Sequence, residues 1–281
     1  MSAWSLMEPG TEVSKKEPRR LEGRYLSAFT YPLRPRGRFM IFAASVPLAV
    51  LVGVCGYATA IPFFILLVVI VLFGVFSYFA AFSESIIHET CEENDEVPDW
   101  PDFGDVWGDM LLPGLRFTLV GILSFTPLLV AVLLGKHLSL VPGDAGTLAV
   151  GGALLLWGFF YYPMAILGVT YYGSVRGASP TVVIRAIKRA GMDYASAAAL
   201  FAGFALVAGI VLVSIAVLKV VVWQSGPVGM LFGSPILGVV LYGVLLYVAM
   251  VASRMVGLMF RRTRGKLGWD YVRRPPGEAG S

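Results

Sequence analysis

The residue types from which chemistry could be built lie in a few short stretches. The first is HETCEE, with His88, Glu89 and Cys91 side by side. A helical zinc hydrolase needs H-E-x-x-H, and here Cys91 and Glu92 stand where that pattern would end. The chain holds only 2 His, too few to supply the usual three-ligand catalytic zinc centre. HETCEE therefore reads as a solvated helix end. No G-x-S-x-G elbow is present, and no Asp falls within an apolar run to build an intramembrane carboxylate pair. No catalytic residue, metal or cofactor is expected, and the chain reads as a non-enzyme.

The second stretch is EENDEVPDWPDFGDVWGDM, residues 92–110, which gathers close to half of the chain's 18 acids and no base. On a helix turning 100° per residue, Asp102, Asp105 and Asp109 share one face, opposite Phe103, Val106 and Trp107. Asp102 can cap the first turn, and Asp105 three residues later strengthens that start. The expectation is a short interfacial helix with Trp107 toward the lipid headgroups, ended by Pro113 and Gly114. The three acids could converge on a divalent cation, but the D-x-[DN]-x-[DN]-G pattern is missing. An acidic interfacial helix is unusual, because such helices carry bases that anionic lipid attracts. The acids point instead to a protein partner, within the chain or outside it.

One internal candidate is SPTVVIRAIKRAG, residues 179–191. Ser179 suits an N-cap, Pro180 the first helical position and Gly191 the stop. Arg185, Lys188 and Arg189 share a face, and Val183, Ile184 and Ile187 share the other. Trp100, Asp102, Asp105, Trp107 and Asp109, with Arg185, Lys188 and Arg189, form the expected interaction surface. A second candidate is WGFFYYPM, residues 157–164. Tyr161, Tyr162 and Pro163 could line a cavity beside a Pro-interrupted helix, although a packing kink with the Tyr hydroxyls bonded to neighbours is the favoured reading.

These residues need elements to hold them. The 281 residues are 57% apolar and 14% charged, with mean hydropathy +0.76, whereas soluble domains carry about 25% charged residues. A helix needs about 20 apolar residues to span a bilayer. Six stretches qualify, near residues 39–59, 62–82, 115–134, 148–172, 195–222 and 236–260. The predicted fold is all-α: a polytopic transmembrane bundle of six spans with two short cytoplasmic amphipathic helices. Residues 1–24 read as a disordered charged tail, residues 25–260 as the membrane domain and residues 261–281 as a basic tail. A tight hairpin is expected around Thr59 to Pro62.

Net charge is +4, and its distribution sets an orientation. Bases crowd the N-terminal segment, the loop around Arg185 and the C-terminal segment, and they avoid the alternate connections. By the positive-inside rule both termini are cytoplasmic, in the cytoplasmic (inner) membrane. The bases suit an anionic lipid surface. No nucleic-acid fold accompanies them, so the expected partners are the lipid bilayer and a membrane or cytoplasmic protein. Nothing in the sequence fixes an oligomeric state.

The blocks AFTYPLRPRGRFMIF (residues 28–42), VPDWPDFGDVWGDMLLPGLRFTLVGILSFTPLLV (97–130) and ILGVTYYGSVRGASPTVVIRAIKRAGMDYASA (166–197) together resemble a prokaryotic membrane family, the domain-of-unknown-function 4013 family. That family opens with Tyr-Pro, then carries a Pro-aromatic-acid-Gly-acid element matched here by Pro98, Trp100, Asp102, Phe103, Gly108 and Asp109. A later Asp-Tyr turn is matched by Asp193 and Tyr194. The resemblance runs from about residue 24 to 260, and residues 261–270 fall outside its pattern. It implies a polytopic bacterial or archaeal membrane protein and supplies no catalytic residue. The favoured function is a non-enzymatic membrane scaffold or interaction protein. A permease for a small uncharged or amphipathic solute is second, and a lipid-acting enzyme third.

Overall fold

The computed structural model describes residues 25–58, 64–101, 104–134, 145–224 and 234–267. Among them the secondary structure is helical throughout, and six helices are long and apolar enough to cross a membrane. The protein is an all-α integral membrane bundle. A 3-10 turn, Tyr31–Leu33, precedes α1 (Pro35–Ala58). Then come α2 (Ile65–Cys91), a π-helical turn (Val106–Leu111) running directly into α3 (Leu112–Leu133), and α4 (Ala145–Tyr172). A 3-10 turn, Val175–Ala178, leads to the short α5 (Pro180–Ala190), then α6 (Met192–Gln224) and α7 (Ser234–Leu267). The expected hairpin between the first two spans lies outside the described residues.

Helix α7 is the hub, packing on α1, α2 and α6 and touching α4 and α5, while α3 packs outside between α2 and α4. The starts of α1, α3 and α6 and the ends of α2, α4 and α7 meet at one end, here termed the base. The opposite end is the mouth. At 1.5 Å per residue, the 33 residues of α6 span about 50 Å, well beyond the ~30 Å hydrocarbon core.

Burial concentrates at the base. In α4 every residue from Pro163 to Thr170 is buried, and none from 145 to 157. In α6 the buried residues are Tyr194, Ala197, Ala198, Phe201 and Ala208, with none beyond. Close backbone approach makes this possible. A Cβ on Gly168 of α4 would overlap the carbonyl oxygen of Gly177, and one on Gly177 would overlap that of Gly168. Tyr161 donates to the Ala178 carbonyl at 2.6 Å across the same seam.

Three sequence expectations are corrected. Pro113 and Gly114 do not break the chain before the third span. Pro113 sits in the first turn of α3, where a missing N–H is tolerated, and a Cβ on Gly114 would overlap the Ser77 hydroxyl of α2. HETCEE is not a fully solvated helix end: α2 runs into it as far as Cys91, and Thr90 and Cys91 are buried. Finally, residues 261–267 are not tail. They extend α7, with Thr263 and Leu267 fully buried.

Candidate functional site

The base is closed by a polar lattice centred on Arg254. This residue is 2% exposed although it sits inside an apolar helix. A buried guanidinium is tolerable only when paired and hydrogen-bonded, and Arg254 is both. It donates to Thr90 Oγ1 at 2.9 Å and to the Asn94 carbonyl at 3.0 Å, and it pairs with the Asp95 carboxylate. Its guanidinium carbon lies 4.8 Å from the Tyr31 ring centroid, a cation–π contact. Tyr31 in turn donates to the Glu96 carbonyl at 3.1 Å. Burial holds its phenol up at about 12, against the opposing pull of Arg254 and Arg34, so Tyr31 remains a neutral donor. Arg34 donates to the Asp95 carbonyl, Arg261 approaches Glu93 at 3.5 Å, and Arg36 pairs with Asp99.

The acidic segment is thus strapped to the bundle by arginines from α1, its leading turn and α7. Nearby, Asp193 pairs with Arg262 and Lys266, joining α6 to α7. The buried Tyr194 donates to the Phe160 carbonyl of α4. Glu84 and Arg116, both largely buried, face each other at 3.6 Å between α2 and α3.

Of the residues expected to form an interaction surface, Asp102 lies outside the described residues. Asp105, not Asp102, caps the π-helical turn: its Oδ1 accepts from the N–H groups of Trp107 and Gly108, each at 3.0 Å. Asp105, Trp107 and Asp109 are exposed, Trp107 at 65%. Trp100 instead turns inward, stacked on Phe82 at 4.7 Å and on Tyr78 at 5.6 Å. Arg185, Lys188 and Arg189 are exposed on α5, while Val183, Ala186 and Ala190 are buried. The helix keeps its expected bounds, but the Ser179 side chain makes no capping hydrogen bond. Among the described residues no ion pair joins Asp105 or Asp109 to these bases. Arg189 donates to the Leu267 carbonyl at 3.4 Å.

From the base core toward the middle of the bundle runs a partly open slot of about 470 Å³. All six spans contribute, among them Leu48, Phe79, Phe117, Tyr162, Phe201 and Tyr242. The side chains are apolar apart from the hydroxyls of Tyr162, Tyr242, Ser83 and Ser253. Beside it, a wider groove of about 980 Å³ runs between α1 and α2 down to Trp100 and Met110. Leu48, Val75 and Phe79 belong to both walls. Of the three residues expected to line a cavity, only Tyr162 does so. Tyr161 spends its hydroxyl on Ala178, and Pro163 is buried inside an unbroken α4.

Sequence reasoning passed over Arg254 and the slot. A lone Arg late in an apolar run reads as a residue near the inner end of its span, and the slot is assembled from helices far apart in the chain. The signal available for Arg254 was its spacing of seven from Arg261, which places both on one face of α7 opposite an acid-rich segment. The chain matches no known family model, no curated protein and no solved structure. The likeness to the 4013 family therefore rests on the three sequence blocks alone.

Proposed function

We propose that the protein is a non-enzymatic host for an apolar or amphipathic guest within the membrane, working as a permease for such molecules. The observation that carries this reading is the slot. It is walled by all six spans, closed toward the base by the Arg254 lattice, and adjoined by a groove between α1 and α2. Binding sites for small molecules are concave, mostly apolar cavities with a few placed polar groups, and the four hydroxyls meet that description. In this reading the base faces the cytoplasm, because the basic residues crowd its segments.

The test is photolabelling of the purified protein in nanodiscs with a long-chain alcohol bearing a diazirine in its chain. Labels should concentrate on slot residues, and Ala249→Phe, which fills the slot from α7, should remove them. Labels spread evenly around the lipid-facing belt would overturn the reading. The scaffold reading keeps one supporting observation: Asp105, Asp109, Arg185 and Lys188 are exposed charges at the base with no ion-pair partner among the described residues. A partner that binds them would be lost on reversing those charges, with photolabelling unchanged.

A further inference from the structure

Lys219 stands apart from every other base in the structure. It lies on α6 near the mouth, far from the lattice that pairs the arginines. It does not point away from the bundle: its Nζ is 5.9 Å from the Tyr242 ring centroid. It also comes within 3.7 Å of where a Cβ on Gly238 would stand, and that same point is 3.5 Å from Ala49 Cβ of α1. Gly238, Tyr242, Leu245, Ala249, Ala252 and Val256 follow helical spacing on one face of α7, and all but Gly238 line the slot. Lys219 therefore sits over the mouth end of the slot. No carboxylate among the described residues pairs with it, and the sequence holds no Asp or Glu between Tyr194 and Trp269.

From Tyr242 to Val256 the slot wall rises about 21 Å along α7. One leaflet contributes about half of the ~30 Å hydrocarbon core, so the slot can take one acyl chain of the leaflet at the mouth. The α1–α2 groove, sharing Leu48, Val75 and Phe79 with the slot, offers a second apolar channel beside it. Two adjoining apolar channels beneath one cation that pairs with no described carboxylate match the chemistry of a two-chain anion. We infer that the guest is an anionic diacyl phospholipid of the surrounding bilayer. One chain lies in the slot, the other in the α1–α2 groove, and the phosphate rests on the Lys219 ammonium. This rests on the host reading above.

The experiment uses the full chain in nanodiscs, with diazirine-chain phosphatidylglycerol and phosphatidylcholine as probes and labelled residues read by mass spectrometry. Wild type should label in the slot about fivefold more with phosphatidylglycerol, the effect expected of one lysine at an anionic lipid surface. Lys219→Met should bring the two probes level, and Lys219→Arg should keep the preference. Ala249→Phe, or Ala80→Phe from the opposite wall, should remove slot labelling by both. Retained preference in Lys219→Met would overturn the inference and leave the host reading standing. Slot labelling untouched in a folded blocking variant would overturn the host reading itself. Displacement by a long-chain fatty acid, but not by unlabelled phosphatidylglycerol, would overturn the two-chain assignment.

Discussion

At the base, α4 buries every residue from Pro163 to Thr170, backbone against backbone at Gly168 and Gly177; at the mouth, the same helix buries nothing from 145 to 157. Composition does not separate the two halves, since both are apolar helix. What differs is what holds them. In lipid, an apolar side chain gains little by leaving hydrocarbon for a protein interior, so packing contacts and interhelical hydrogen bonds must hold helices together. The base has both: Arg254 on Thr90, Asn94 and Asp95, Tyr161 on Ala178, and Asp193 on Arg262 and Lys266. Among the described residues, the mouth offers Lys219 against a ring, and the slot opens toward it. A membrane bundle of this kind can therefore be firm at one end and receptive at the other.

The comparison breaks most readily at Arg254. Arg254→Ala removes a buried cation and strands the Asn94 carbonyl, and should cost about 3 kcal/mol. Thermal unfolding in detergent would read the loss, and limited proteolysis should then cut within residues 92–100. A variant as stable as wild type would mean that the lattice does not hold the base. Gly168→Ala comes next. Its Cβ meets backbone, not a side chain that can swing aside, and overpacking of this kind should cost about 2 kcal/mol. The mouth supplies the smallest effect. Val217→Ala, at a position 57% exposed, should shift stability by no more than about 0.5 kcal/mol. A loss there matching that at Gly168 would erase the distinction between the two ends.

The number of spans was legible because the bilayer imposes a length, and each of the six apolar runs meets it. Where the helices end was not. Ser83, Glu84, His88 and Glu89 lower the hydropathy and suggested that the second span stops near residue 82, yet α2 reaches Cys91 because α7 covers Ile87 and Thr90. The same holds for residues 261–267, where Arg261 and Arg262 look like the start of a tail but pair with Glu93 and Asp193. In the candidate site, the aromatic cluster around Pro163 pointed to the correct helix, but one residue of register separates Tyr162 in the slot from Tyr161 on Ala178. Arg254 and Asp95 are 159 residues apart, and neither carries a local mark of the other.

The hub position of α7 also bears on how the protein is made. Chains are synthesised from the N-terminus, at about 5–20 residues per second, so of the six spans the central one reaches the membrane last. Until then α1 and α2 have little to hold them to each other, since α1 packs chiefly on α7 and α2 on α7 and α3. The acid-rich segment between α2 and α3 likewise waits for Arg254 and Arg261. Five spans must therefore stay in the bilayer as an unfinished ring before the sixth enters and locks it. Nascent chains stalled before residue 254 should accordingly remain open to membrane quality control, and closure of the bundle should be a late event.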